Sequence, residues 1–81
     1  MRVTIRLFAR LRELAGAAEM TRDVPAGATV GSVWSTLVTE FPALAPYTAL
    51  VSGAVNDEYA RTATPVGEGD DVAFLPPVSG G

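Results

Sequence analysis

The sequence predicts a single α+β domain in which a mixed sheet of about five strands covers one main helix, with a short helix beside it. Three observations support this fold class. Several segments alternate apolar and polar residues with the period of two that is typical of strands, and one segment carries a single apolar stripe at helical spacing. The chain has 81 residues, of which 48% are hydrophobic, so it can form one core and has no room for a second domain.

The first third of the chain predicts a strand, a short helix and a second strand. Apolar and polar residues alternate over residues 2–7, which predicts a strand with one face on the core. Residues 10–15 are typical of a short helix, because Gly16 follows them as a residue that commonly ends a helix in the left-handed conformation. Alternation resumes over residues 19–24 and predicts the second strand.

The main helix is the clearest element of the sequence. Thr29 is a good N-cap, whereas Ser32 stands where a capping box would have Glu or Gln, so only half of that device is expected. Pro42 is expected to stop the helix, and Pro46 to keep the following stretch irregular. One apolar stripe repeats every three or four residues and predicts the buried face: Val30, Val33, Trp34, Leu37, Val38 and Phe41.

The last third predicts three strands. Residues 50–55 form the first, and the Asn56-Asp57 pair predicts a tight turn because both residue types tolerate the left-handed region. Residues 58–61 would be the short return strand, and residues 71–75 the final one. For the order β-α-β-α-β-β-β, the simplest fold is a mixed sheet packed on one helix, because a helix with one apolar stripe needs one sheet to cover it.

The composition excludes most kinds of side-chain catalysis. The chain contains no Cys, no His and no Lys, and all six of its cations are Arg. Thiolate nucleophiles, imidazole bases, Schiff-base lysines and the usual zinc ligands are therefore absent. A self-contained enzyme with this inventory would be unusual.

Charge, hydropathy and residue spacing disfavour nucleic acids, membranes and metal ions as binding partners of this chain. Six basic and nine acidic residues give a net charge of −3, which disfavours nucleic-acid binding. No apolar stretch approaches the ~20 residues of a membrane span, and no signal-peptide pattern is present, so a cytoplasmic protein is expected. Glu68, Asp70 and Asp71 lack the ligand spacing of a calcium loop and predict a solvated turn, so no metal site is expected.

The chain is expected to divide into a domain over residues 1–75 and an extended tail over residues 76–81. Two prolines open the tail and hold it extended, and two glycines end it. A Gly-Gly end is narrow enough to enter a channel and to place the carboxylate of Gly81 where a bulkier residue could not follow. The alternative is a frayed terminus without a role.

A docking surface is the second candidate site. Alternation over the final strand leaves Leu75 on the outer face of the sheet, Phe8 lies at the end of the first strand, and Tyr59 lies on the short return strand. A cluster of these three residues near the tail would suit a partner. The alternative is that a thin sheet exposes a few large residues without a binding role.

Two segments carry most of a resemblance to a known family, and Phe8-Ala9, Arg12-Glu13-Leu14 and Thr29-Val30 also match that family at the expected places. Val55-Asn56 and the pattern GD-x-VAF-x-PPVSGG over residues 69–81 resemble the small subunits of molybdopterin synthase, which are ubiquitin-like sulfur carriers of molybdenum cofactor biosynthesis. The resemblance covers essentially the whole chain and implies a ubiquitin-like β-grasp fold. It also implies that the chain acts as a non-catalytic subunit in a heterotetramer, whose large subunit carries the catalytic residues.

The resemblance implies a reaction at Gly81. An adenylyltransferase that resembles ubiquitin-activating enzymes would use ATP to adenylate the Gly81 carboxylate, and a persulfide donor would convert it to a thiocarboxylate. The sulfur would then pass to cyclic pyranopterin monophosphate, giving molybdopterin, with no cofactor bound by the chain itself. The tail would insert into the large subunit, and the family's contact surface would include Phe8, Tyr59 and Leu75. The inserted residues would be Pro76, Pro77, Val78, Ser79 and Gly80.

Three other functions remain open at this point. The chain could be a thiocarboxylate carrier for another pathway, such as thiamine, tungsten cofactor or sulfur amino acid synthesis. It could be a ubiquitin-like protein modifier, although the absence of Lys removes any site for chains of itself. It could also be an interaction module whose tail has no chemistry.

Overall fold

The computed structural model of the protein describes residues 1–77. The order of strands and α-helices predicted from the sequence is confirmed, and one 3₁₀ helix is added to it. The predicted tail residues Val78, Ser79, Gly80 and Gly81 lie outside the described residues. The elements are β1 (Arg2–Leu7), α1 (Ala9–Ala15), β2 (Glu19–Asp23), α2 (Val30–Glu40), the 3₁₀ helix η1 (Pro42–Tyr47), β3 (Ser52–Val55), β4 (Glu58–Ala60) and β5 (Asp71–Leu75).

The five strands form one mixed sheet in the order β2-β1-β5-β3-β4. β5, the last strand in sequence, lies in the middle, parallel to β1 and antiparallel to β3. In this register Phe74 is opposite Leu7 on one side, and Leu75 is opposite Ser52 on the other. The root of the tail, meaning Leu75 and the following Pro76, therefore lies between the end of β1 and the start of β3.

The core lies between one face of this sheet and α2. Alternate residues of β1 and β5 are almost completely buried, as the period-two pattern predicts. The rings of Trp34 on α2 and Phe74 on β5 lie 5.1 Å apart between centroids, in a tilted arrangement. The indole nitrogen of Trp34 donates a hydrogen bond to Thr48 Oγ1 at 3.0 Å, so its one polar atom is satisfied in the core. The largest fully buried side chains are Phe74, Ile5, Leu7, Leu11, Leu37, Leu44, Val3, Val33 and Val72.

The N-terminus of α2 corrects one sequence prediction. Only half of a capping box was expected, yet both halves are present. The Ser32 amide donates to Thr29 Oγ1 at 3.2 Å, and the Thr29 amide donates to Ser32 Oγ at 2.8 Å. A serine hydroxyl at this position accepts the hydrogen bond that a Glu or Gln side chain would otherwise accept.

The connection from α2 to β3 also differs from the prediction. The stretch after Pro42 was expected to be irregular, but it forms η1, with a proline at its start and Leu44 fully buried. The strand expected from Leu50 begins at Ser52, because the amides of Leu50 and Val51 both donate to the Tyr47 carbonyl oxygen at 2.8 Å. Those amides are thereby used in a turn rather than in the sheet.

Close packing of α2 on the sheet depends on Gly53. A Cβ atom at this position would lie 2.8 Å from Val30 Cγ1, a distance that real Cβ contacts do not show. The absence of a side chain therefore lets the first turn of α2 approach β3. No helix among residues 1–77 has the length and apolar character that crossing a bilayer requires.

Candidate functional site

The turn between β3 and β4 is confirmed and is tied to the start of β5. Asn56 and Asp57 both have positive φ angles, 50° and 71°. The Asn56 side-chain nitrogen Nδ2 donates to Asp70 Oδ1 at 3.1 Å, and the Asp71 backbone N–H donates to Asn56 Oδ1 at 3.0 Å. The Asn56 side chain therefore connects the β3–β4 turn to the segment that leads into the central strand.

Asp70 organises its own turn through the same network. Its Oδ2 accepts a hydrogen bond from the Gly67 backbone N–H at 2.7 Å, while its Oδ1 accepts from Asn56. These two bonds, that of Asn56 above all, lower the pKa of the Asp70 carboxyl because they stabilise its charged form. The Gly-Asp pair and the asparagine, which carry part of the family resemblance, thus serve the fold.

The other two acidic residues of the predicted solvated turn also have structural partners. Glu68 Oε1 accepts a hydrogen bond from the Arg2 backbone N–H at 3.0 Å. Asp71 pairs with Arg6 at 2.6 Å, and Arg6 also pairs with Glu19 at 2.8 Å. The hydrogen bond and the charge of Asp71 raise the pKa of the Arg6 guanidinium. Among residues 1–77 no group of three acidic residues is arranged to hold a metal ion.

The three residues predicted to form a docking surface meet on the outer face of the sheet. They line a shallow depression of about 220 Å³, here called the outer-face depression. Tyr59 is 84% exposed and Phe8 is 43% exposed, so large apolar area faces the solvent. The complete lining is Phe8, Ala54, Asp57, Tyr59, Ala73 and Leu75.

Strand register explains how the outer-face depression forms. Ala54 on β3 lies opposite Tyr59 on β4 and also opposite Ala73 on β5, so these side chains form a row across three strands. Two small alanines make a low floor between the larger side chains at the rim. Alternation over the final strand places Ala73 on the outer face, like Leu75. The sequence pattern did not assign Ala73, Ala54 or Asp57 to the docking surface, because cross-strand neighbours depend on a register that alternation does not specify.

A strained residue positions one rim of the outer-face depression. Ala9 has a φ of 51°, in the left-handed region that costs an alanine roughly 1 kcal/mol. This conformation turns the chain between β1 and α1 and leaves Phe8 half-exposed, while the Phe8 carbonyl oxygen accepts from the Leu11 N–H at 3.1 Å. Backbone strain of this kind tends to concentrate at functional sites. Nothing in the sequence indicated it.

The root of the tail lies beside the outer-face depression. Leu75 belongs both to the lining and to the last pair of the β3–β5 ladder, where it is opposite Ser52. Pro76 is half-buried and Pro77 is exposed, and neither can donate a backbone hydrogen bond to extend the ladder. The predicted insertion residues 78–80 and the predicted reacting residue Gly81 lie outside the described residues, so those assignments remain predictions.

A second groove of about 360 Å³ borders α2 at the opposite face of β3 and β4. Its lining includes the rings of Trp34 and Phe74 together with Ser35, Ser52 and Arg61. Of the three residues predicted to bind a partner, Tyr59 lines both this groove and the outer-face depression, whereas Phe8 and Leu75 line the depression and not the groove. The outer-face depression, where Phe8 and Leu75 converge with the tail root, is therefore the candidate functional site.

The fold is that of a ubiquitin-like β-grasp protein: a mixed five-stranded sheet holding one main helix, with the central strand running out into the C-terminal segment. Within that class the chain belongs to the ThiS family, whose model matches residues 5–81. The resemblance to molybdopterin synthase small subunits seen in the sequence is confirmed by this match and by the relatives described next.

Three similar proteins illustrate the family. The molybdopterin synthase sulfur carrier subunit of Arabidopsis thaliana is 38% identical over 79 residues, which cover 98% of this chain and 82% of that protein. The crystal structure of SAMP1, a small archaeal modifier protein of Haloferax volcanii, is 33% identical, covers all of both chains and superposes with a TM-score of 0.85. Subunit 1 in the complex of subunits 1 and 2 of the Helicobacter pylori molybdopterin-converting factor shares the fold, at 23% identity, full coverage of both chains and a TM-score of 0.69.

Proposed function

We propose that this protein is the sulfur carrier subunit of a molybdopterin synthase. The observation that carries the proposal is the family match, which reaches the Gly-Gly end of the chain at residue 81. The reacting group would be the Gly81 carboxylate. An adenylyltransferase would convert it to an acyl-adenylate at the expense of ATP, and the outer sulfur of a partner's persulfide would displace AMP to form an acyl persulfide. A thiol would then attack the inner sulfur of that S–S bond, which forms a disulfide with the donor and releases the thiocarboxylate at Gly81.

The chemistry of each step explains why the chain needs partners. A carboxylate is a poor acyl electrophile until AMP becomes its leaving group, and a thioacid is a good sulfur donor once it is formed. The chain has no Cys or Lys that could attack its own activated terminus. The large subunit would supply the catalytic residues and bind cyclic pyranopterin monophosphate, and two sulfur deliveries would build the dithiolene of molybdopterin.

The outer-face depression supports docking of the large subunit beside the tail. Leu75 lies in its lining and is followed directly by Pro76 and Pro77, so a protein seated on the depression would be next to the tail root. The related subunit 1 of Helicobacter pylori has a partner subunit 2 in its structure. ATP-dependent activation and an oxygen-to-sulfur exchange at a free terminus suit a cytoplasmic carrier, which is the location that we propose.

The test is the intact mass of the protein after activation. The purified chain is incubated with the adenylyltransferase of its host, ATP, cysteine and a cysteine desulfurase, and its mass is measured. We expect one oxygen to be replaced by sulfur at Gly81, and a mass that stays unchanged with all components active would contradict the proposal. A variant that lacks Gly81 is the control; it should fold normally, acquire no sulfur and support no dithiolene formation with the large subunit.

A second function is favoured by one comparison. The similarity to SAMP1, at 33% identity over the whole of both chains, allows a role as a ubiquitin-like modifier of other proteins. This role requires an isopeptide bond between Gly81 and a lysine of a target. Mass spectrometry of the host proteome distinguishes the two functions, because a dedicated carrier forms the thiocarboxylate and leaves no lysine adducts. A carrier for another sulfur pathway would instead form the thiocarboxylate and fail to bind the molybdopterin synthase large subunit.

A further inference from the structure

We propose that Asp57 selects the partner of the outer-face depression, and that this partner presents an apolar protrusion flanked by an arginine or a lysine that pairs with the Asp57 carboxylate. The inference rests on the proposed function, because the partner in question is the large subunit that receives the tail. It adds the chemistry of the complementary surface: an apolar centre with one cation at its edge.

The position of Asp57 makes its charge part of the surface that a partner covers. Asp57 is exposed in the β3–β4 turn and lines the outer-face depression together with Tyr59, its second neighbour along the chain. Its side chain forms no hydrogen bond and no ion pair with any residue between 1 and 77. The turn itself is held by the neighbouring Asn56, whose side chain makes the bonds to Asp70 and Asp71. The Asp57 carboxylate is therefore not needed for those contacts.

One cation of the same face, Arg6, already has carboxylate partners. Arg6 is paired in register with Ala73, which lines the outer-face depression. The Arg6 guanidinium bonds Asp71 at 2.6 Å and Glu19 at 2.8 Å, so two carboxylates balance its single charge. The remaining members of the lining are the apolar side chains of Phe8, Ala54, Ala73 and Leu75 and the aromatic ring of Tyr59. The surface is thus apolar with one negative charge that forms no ion pair with a described residue, and that acts on the Arg6 guanidinium less strongly than Asp71 and Glu19 do.

A partner that seats on this surface removes water from the Asp57 carboxylate. A carboxylate that loses water without gaining a partner is strongly unfavourable, so a purely apolar protrusion would bind against a penalty. A cation opposite Asp57 removes that penalty and also attracts this chain, whose net charge is −3, from a distance. A purely apolar competitor lacks this compensation, which makes the charge a determinant of specificity.

The test compares two variants that each remove one negative charge from adjacent residues. Asp57→Asn keeps the turn, because asparagine also tolerates the positive φ of 71°. Glu58→Gln is the matched control, since Glu58 lies on β4 with its side chain on the opposite face from Tyr59 and does not line the outer-face depression. Affinity for the purified large subunit is measured by calorimetry at several NaCl concentrations, and thermal melts show that both variants fold.

We expect Asp57→Asn to weaken binding by roughly two- to fivefold at low salt and to flatten the salt dependence of the affinity. Glu58→Gln should leave both unchanged. Equal behaviour of the two variants, or tighter binding of Asp57→Asn, would overturn the role of Asp57 while leaving the sulfur-carrier function intact, provided that the wild-type protein binds and forms the thiocarboxylate. If the wild-type protein does not bind the large subunit at all, the proposed function fails, and this inference fails with it.

Discussion

Truncation of Tyr59 separates a binding role from a structural one. Tyr59 is 84% exposed in a three-residue strand, so its ring contributes little to the folded chain and Tyr59→Ala should change the free energy of unfolding by less than about 0.5 kcal/mol. A tyrosine that becomes buried at an interface removes about 150–250 Å² from water, and central aromatic residues of interfaces contribute about 2 kcal/mol or more. The same substitution should therefore weaken binding of the large subunit by roughly thirtyfold or more.

The assay needs a control that removes comparable apolar area elsewhere. Leu50 is 55% exposed and does not line the outer-face depression, so Leu50→Ala should leave affinity within about twofold of wild type. Calorimetric titration gives the affinities, and a thermal melt of each variant confirms that folding is retained. Equal affinities of the Tyr59→Ala and Leu50→Ala variants would show that the exposed ring is a consequence of the thin sheet, and would remove the outer-face depression from the proposed docking surface.

Three further predictions follow from packing, backbone strain and charge. Gly53→Ala should lower the free energy of unfolding by about 1–2 kcal/mol, because the new Cβ would lie 2.8 Å from Val30 of α2. The control Gly67→Ala, whose new Cβ would have its nearest contact at 3.6 Å, should be neutral or slightly stabilising. Equal melting temperatures of the two variants would refute this account of the helix–sheet contact. Ala9→Gly should raise the free energy of unfolding, measured by urea titration, by about 0.5–1 kcal/mol, because glycine has no Cβ to clash with the backbone at a φ of 51°. A loss of stability would show that Ala9 is not strained. Because the pKa of Asp70 is lowered in the folded state, its charged carboxylate stabilises the fold at pH values above the usual carboxyl pKa of 3.8, and this contribution is lost as the pH falls through the lower folded-state pKa. Asp70→Asn should therefore be less stable than wild type at neutral pH and should lose less stability on acidification. Acid titrations in which the two proteins lose stability in parallel would contradict this prediction.

The fold was largely predictable because its signals are local and periodic. Alternation over residues 2–7 and the apolar stripe that starts at Val30 each specify one buried face, and burial is the dominant favourable term in folding. The turn at Asn56-Asp57 was predictable for a different reason, since these residue types tolerate the positive φ that the turn requires. Each of these predictions depends on one short stretch of sequence.

The candidate site was predictable only in part, because its shape depends on the register of three strands and on the strained backbone at Ala9. Phe8, Tyr59 and Leu75 could be named as large residues on an outer face, and the structure brings them together. The alanine floor between them depends on which residues of three strands stand side by side, which no single segment encodes. The left-handed conformation of Ala9 had no signal either, because alanine is typical of an ordinary right-handed helix.

The central place of β5 has a consequence for the synthesis of the protein. Thr4, near the start of the chain, stands beside Asp71, near its end, and both β1 and β3 are bonded to β5. A polypeptide that stops before residue 71 lacks the strand that joins the β1–β2 pair to the β3–β4 pair, so the five-stranded sheet cannot be completed. Completion of the fold therefore waits for almost the entire chain to leave the ribosome. We expect early termination products to lack Ala73 and Leu75, and so not to compete with full-length molecules for the partner.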